Sequence, residues 1–323
     1  MLNFNRRAAL AFGVALLTST SLPALAQTYP DKPVTLVVSY AAGGGTDAIA
    51  RVFAARLEKA LNGRVIVENR PGAAANIGTE VVAAAEPDGY TLLIGNQGPM
   101  AVNPHLFKLK YDPAEALDPI AMIADAALVI VVGPRLQAKS MAELLEKAKA
   151  GELVYGSAGN ASASHVATLL LGQTADIKLK HVPYKGAGPA VNDLVGGHID
   201  FMVTTIPSVI GLVNDGTLTA LAVTGSERFS ELPDVPTVAE SGLPGYTASA
   251  WYGLLGPKGL PQDVRDKLAA ATTETLSDPE FIAKLKNDGG VPSNLVGQAL
   301  ADFMASERAR WGEVVKAAGI KVE

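Results

Sequence analysis

The stretch that most constrains this chain runs from Val34 to Leu61. A short, β-branched apolar run, Val34 to Tyr40, is followed by Ala41-Ala42-Gly43-Gly44-Gly45-Thr46-Asp47, and apolar residues then fall at Ile49, Val52, Phe53, Leu57, Ala60 and Leu61. The last spacing is that of a helix, so the stretch reads as strand, tight loop, helix. Glycines let a ligand come close to the main chain, and Thr46 or Asp47 is expected to cap the helix. The first helical N–H groups have no intrahelical partner, so the loop is a site for an anion. Gly43, Gly45 and Ala48 also satisfy G-x-G-x-x-A, with Glu68 closing a later strand, which keeps a dinucleotide site open. Against it, Asp47 places a carboxylate where a pyrophosphate would sit. A plain strand-to-helix turn is the third reading.

The N-terminus bounds the choice. Arg6 and Arg7 precede an apolar run from Ala8 to Leu17, and Ala24-Leu25-Ala26 is an A-x-A site, so residues 1–26 read as a signal peptide cleaved after Ala26. The apolar run is too short to span a bilayer and no later one reaches about 20 residues, so a soluble periplasmic protein starting at Gln27 is expected. The formal net charge is −5 over the whole chain, and the leader carries basic but no acidic residues, so the mature chain is more acidic still. Nucleic acid is therefore not an expected partner. With no cysteine there is no disulfide framework and no thiolate metal site. No cofactor is expected, and the chain is expected to act as a monomer.

The roughly 300 mature residues suggest two domains. Arg64 to Glu68 reads as a strand, the loop Gly72 to Asn76 opens a helix through Val82, and Thr91 to Gly95 is a third strand ending in Asn96-Gln97-Gly98. Strands alternating with helices predict a largely parallel sheet with its ligand at the strands' carboxyl ends. The long apolar run Ile120 to Val132 carries the chain into a second domain, where the first pattern recurs: strand Leu153–Tyr155, small-residue loop Gly156 to Ser162, helix Ala163 to Gly172. Strands follow at Lys178–Tyr184, Ile199–Val203 and Leu218–Val223, and Trp251–Leu255 reads as the strand that returns. The expected division is residues 27–128 with 250–323, and 129–249. Two α/β domains, each with an anion-ready loop, predict a ligand cleft between them.

Competing chemistry has little support. No G-x-S-x-G occurs, since Tyr155 stands where its first glycine would be, and His105, His165, His181 and His198 show no metal spacing. A secreted α/β enzyme acting on a small carboxylate is the alternative kept open. A structural or adhesive protein would need repeats or low-complexity stalks, which are missing. Asp47 and Arg51 lie four apart and pair most simply on the helix face. His165 stands on the helix after the second loop, as a ligand contact or as a histidine bonded to nearby backbone.

Several stretches in one order resemble a known family, the periplasmic solute-binding proteins of tripartite tricarboxylate transporters, called Bug or TctC. They are Y-A-A-G-G-G-T-D-A-I-A-R (40–51), V-E-N-R-P-G-A-A-A-N-I-G-T-E (67–80), P-D-G-Y-T-L-L (87–93), Y-G-S-A-G-N (155–160), V-P-Y-K-G (182–186), L-P-D-V-P-T-V-A-E-S-G-L-P-G-Y (232–246) and W-Y-G-L-L-G-P (251–257). The resemblance implies an α/β Venus-flytrap fold of two domains, closing on a small organic carboxylate that is delivered to membrane subunits of such a transporter. It implies that main-chain N–H groups of both loops hold one carboxylate, which carries over to Tyr40, Ala42, Gly43, Gly44 and Asp47 and to Ser157, Ala158, Asn160 and Ser162. Asn96, Gln97 and His165 join them as candidates, and Lys185, which follows a strand, reads as a solvated lysine or as a contact for a distal carboxylate, with solvent favoured. The chain also departs from the family: Ser39-Tyr40 replaces a usual Pro-Phe, Gly45 a frequent proline, and Ala75 and Ala161 common glycines. Thr204 and Thr205 stand where many relatives have an acidic residue, so a ligand without an amino group is expected. Trp251 and Tyr252 read as cleft or core, with core favoured.

Overall fold

The computed structural model describes residues 29–287, 289–293 and 295–319. The expected leader and the start at Gln27 lie outside them. The chain begins with β1 (Val34–Val38), α1 (Gly45–Leu61), β2 (Val65–Asn69), α2 (Asn76–Ala83) and β3 (Thr91–Asn96). A π-helical segment, Gly98–Val102, leads into α3 (Asn103–Leu106), α4 (Pro113–Ala116) and the 16-residue β4 (Leu117–Val132). Then come α5 (Met141–Ala150), β5 (Leu153–Ser157), α6 (Ala163–Ala175), β6 (Leu179–Pro183), α7 (Ala187–Val195), β7 (Phe201–Thr205), α8 (Ile210–Asn214) and β8 (Thr219–Val223). Last are β9 (Ser249–Pro257), α9 (Gln262–Ser277), α10 (Pro279–Asn287), β10 (Gly290–Pro292) and α11 (Gln298–Ala318).

The strands follow the order β2-β1-β3-β9-β4-β7-β5-β6, with β8 and β10 also pairing with β4. The outer pairs β1 with β2 and β3, and β5 with β6 and β7, are parallel, as strands joined through helices should be. The two long apolar runs, β4 and β9, are antiparallel to their neighbours and tie the parallel groups together. Along β4, Leu117 to Ala127 pairs with β9, and Leu128 to Val132 with β7. Apolar residues fill nearly every position of β4 because it is covered on both faces, which is why its sequence shows no alternation.

The 3.6-residue spacing in α1 buries Ile49, Phe53, Leu57 and Leu61 against the sheet. Each buried side chain of this size is worth about 1.5–3 kcal/mol, and Phe53→Ala, at a fully buried ring packed edge-on to Phe281, would cost about 3–5 kcal/mol. The helix ends at Asn62 in the left-handed conformation, a stop that asparagine tolerates. Among the described residues no helix is long and apolar enough to cross a membrane.

Two local expectations need correction. The N-cap of α1 is Gly44, with no side-chain cap, so neither Thr46 nor Asp47 occupies that position. The strand expected at Ile199–Val203 runs instead from Phe201 to Thr205, because Asp200 is engaged at the strand entry: its amide bonds to Val154 O and its carboxylate accepts from Val154 N–H. Thr204 and Thr205 thus lie on the strand, paired with Val129 and Leu128.

Candidate functional site

The first loop leaves the carboxyl end of β1 and meets the loop after β6. Ala41 N–H donates to Lys185 O at 3.0 Å, and Gly186 packs so closely that a Cβ there would lie 3.1 Å from Ala41. Asp47 is buried in this turn. One oxygen accepts from Gly43 N–H (3.0 Å) and Arg51 Nε (3.0 Å), the other from Asn69 Nδ2 (3.0 Å). Burial pushes its carboxyl up, but these partners outweigh burial and hold it below the usual carboxylate range. Asp47 is therefore a brace of the loop, and its charge is spent on Arg51 as the four-residue spacing suggested.

The second loop is braced by its own side chains. Ser157 Oγ lies 2.6 Å from His181 Nε2, accepts from Gly159 N–H and donates to Gly159 O. Ala158 N–H donates to Ser164 Oγ (3.0 Å), Ala161 N–H to His165 Nδ1 (3.0 Å), and Ser162 caps α6. Tyr155, His181 and His165 form a stack of rings, with centroids 4.8 Å and 4.1 Å apart. Burial, with His181 adding to it, lowers His165 to about 3, and burial lowers His181 to about 4, so both are neutral. His165 is thus a backbone-bonded histidine, and most N–H groups of this loop are already used. In the second loop the N–H groups of Ala158, Gly159, Ala161 and Ser162 are bonded within the loop, which leaves the amides that open α6, at Ala163 and Ser164, facing the same space as those that open α1.

Between the loops lies a cavity of about 40 Å3. Its walls come from Tyr40, Gly44, Gly45 and Thr46 of the first loop, Asn96 and Gln97 at the end of β3, and Ala158 and Ser162 to Ser164 of the second loop. Ala187, Thr204, Thr205, Ala250 and Tyr252 complete it. The cavity walls carry hydroxyls, two carboxamides and main-chain groups, and no ionised side chain among the lining residues. Thr204 is fully buried, and Thr205 Oγ1 lies 2.7 Å from Ser208 Oγ. When its amide faces the partners that satisfy both ends, Gln97 donates to Ser249 O and accepts from Trp311 Nε1.

Of the candidates read from the sequence, Tyr40, Gly44, Asn96, Gln97, Ala158, Ser162, Thr204 and Thr205 come together on this wall. Ala42 and Gly43 are exposed and turn away, Asp47, Ser157 and His165 are consumed as braces, and Asn160 lines a neighbouring cavity. That second space, of about 130 Å3, also holds Lys185 and shares Tyr40 and Ala158 with the first. Its floor is Gly72 to Ala75, where Ala73, Ala74 and Ala75 are all left-handed, with φ of 45°, 55° and 71°. Ala163, Ser164, Ala187 and Ala250 escaped sequence reasoning. Tyr252 lines the cavity while almost wholly buried, and Trp251 on the other face of β9 is core.

The fold and this cavity, free of ionised lining side chains and set between two parallel groups of strands, define a two-lobed solute-binding protein of the periplasmic type. The chain belongs to the TctC family, described as the tripartite tricarboxylate transporter family receptor, whose model matches residues 49–320. It is a family of receptors rather than enzymes. The chain is 34% identical to protein BugT of Bordetella pertussis over 316 residues, which is 96% of this chain and 97% of BugT. It is similar to the structure of R. palustris Rpa4515 with adipate, at a TM-score of 0.88 and 33% identity over 91% of this chain and 99% of that one. It is also similar to MatC from Rhodopseudomonas palustris with bound malate, at a TM-score of 0.84 and 32% identity over 89% and 100% of the two chains.

Proposed function

We propose that this protein is exported, loses its leader after Ala26, and works as a monomeric periplasmic receptor that captures a small organic carboxylate and passes it to the membrane subunits of a tripartite tricarboxylate transporter. The observation that carries the reading is the cavity between the two loops, lined by neutral donors at the carboxyl ends of β1, β3, β5 and β7. Neutral N–H and O–H donors hold a carboxylate well when they are fixed in place. The absence of any ionised group on that wall favours an acid without an amino group, since an ammonium would find no charged partner. Relatives whose structures hold adipate and malate fit this ligand class.

A space of about 40 Å3 is that of a few water molecules. A dicarboxylate enters only if the lobes part, taking residues 27–128 with 250–323 as one lobe and 129–249 as the other, and ligand then favours closure. The experiment is a panel of carboxylates, succinate, malate, adipate, benzoate and aspartate, followed by melting temperature, calorimetry and assay for product. A rise in melting temperature without turnover supports the receptor. No shift with any acid sinks it, and product formation revives the secreted enzyme.

A further inference from the structure

Asn96 ends β3 and lines the cavity while only 7% exposed. Its Oδ1 accepts from the Tyr40 hydroxyl at 3.2 Å and from Gly98 N–H at 3.2 Å. A backbone N–H can only donate, so the oxygen must face Gly98, and the orientation of the amide is set by chemistry. Its Nδ2 has no protein partner among the described residues. Gln97 is the opposite case, since both ends of its amide are taken by Ser249 and Trp311. The threonine and serine hydroxyls on the wall rotate to donate or accept, whereas Asn96 has only N–H left to offer.

Resting on the receptor reading above, we propose that Asn96 is a specificity determinant that presents its two N–H donors to a carboxylate of the ligand, and that Tyr40 is the positioning residue that turns it so. A ligand group that brings a hydrogen there, an ammonium or an amide N–H, would meet a donor and leave both unpaired. Burial pushes the Tyr40 phenol far above its ordinary value, so it stays protonated and keeps donating.

Asn96→Asp has the same shape and keeps an oxygen for Tyr40 and Gly98, but turns the free donor into an acceptor. By calorimetry with succinate, malate and adipate, it is expected to bind at least about 100-fold more weakly than the parent at pH 7.5. Binding is expected to recover as pH falls to 5 and the new carboxyl takes up a proton, a signature that a purely structural role would not produce. Tyr40→Phe, which keeps the ring and loses the hydroxyl, is expected to weaken binding about 3- to 10-fold. Asn96→Asp within threefold of the parent, a loss that lower pH does not relieve, or Tyr40→Phe within twofold would each overturn the proposal. If the parent binds none of the three acids nor any other acid of the panel above, the receptor reading itself fails; if it binds another acid of the panel, the Asn96 variants are measured with that acid and the same thresholds decide.

Discussion

Gly45 and Thr205 meet across the cavity so closely that a Cβ on the glycine would overlap the threonine hydroxyl and lie 2.8 Å from the threonine Cβ. Gly45 opens α1 and Thr205 ends β7, so the contact joins the two parallel groups of strands at the cavity. By comparison, a Cβ on Gly44 would meet Ala187 at an ordinary 3.4 Å.

Gly45→Ala is therefore expected to hold the lobes apart. Overpacking of this kind costs about 1–3 kcal/mol, which should appear as a loss of ligand affinity while melting temperature without ligand changes little. Small-angle scattering at saturating ligand should show a larger radius for the variant than for the parent. Equal affinity and equal radius would mean that the bound state does not use the Gly45–Thr205 contact.

Thr204 and Thr205 bear on ligand choice. A threonine hydroxyl donates to a carboxylate but gives an ammonium no opposite charge. Succinate is expected to bind more tightly than aspartate by about 1–3 kcal/mol, the cost of leaving a buried polar group unpaired. Competition calorimetry decides it, and tighter binding of aspartate would reject it.

His165 and His181 make stability depend on pH. Each is a base whose pKa is lower in the folded chain, about 3 and about 4, than the ordinary 6.5. Below 6.5 the unfolded chain takes up protons that the folded chain refuses, so this stability is complete above about pH 6.5 and is lost as pH falls toward 4. The slope reaches at most about 1.4 kcal/mol per pH unit for each fully buried group. His165→Asn keeps an acceptor where Nδ1 stands for Ala161 N–H and removes one titrating ring, so its melting temperature should fall less steeply between pH 6.5 and 4.5 than the parent's. Parallel curves would mean that His165 does not titrate in this range.

The left-handed run Ala73-Ala74-Ala75 stores strain, because a Cβ in that conformation costs about 1–2 kcal/mol per residue. Ala73 is exposed, so changing it removes little packing. Ala73→Gly relieves the strain and gives back part of it through a more flexible unfolded chain, for a net gain of about 0.5–1 kcal/mol. Chemical denaturation measures it, and a destabilised variant would show that the alanine methyl makes a favourable contact. Ala75 and Ala161, two of the departures from common glycines, also have positive φ, which explains why glycine suits those positions.

The apolar periodicity of residues 34–61 determined strand, loop and helix with little outside help, because α1 buries a face that repeats every 3.6 residues. The strand read at Trp251–Leu255 lies within β9, while the apolar run Ile120–Val132, read only as the passage into a second domain, forms most of the strand β4, which is covered on both faces and so shows no polar alternation. The helical segment Gly98–Leu106 drew no reading from the sequence beyond the end of the third strand at Asn96-Gln97-Gly98, and it packs against α11 and the end of β3. The three-residue β10, ending in Pro292, exists because β4 offers it an edge. Among candidate residues, the sequence singled out Tyr40, Asn96 and Thr204 at strand ends, and the structure brings all three to the cavity wall. The pairing of Asp47 with Arg51 and a backbone-bonded His165 were among its readings, but it could not tell that Ser157 would be held by His181, nor that Tyr252 would face the cavity and Trp251 the core. Those outcomes depend on which neighbours reach each side chain: His181 lies 24 residues from Ser157, and on β9 Trp251 and Tyr252 pair with Asp125 and Asn96, distant stretches that only the tertiary structure brings alongside.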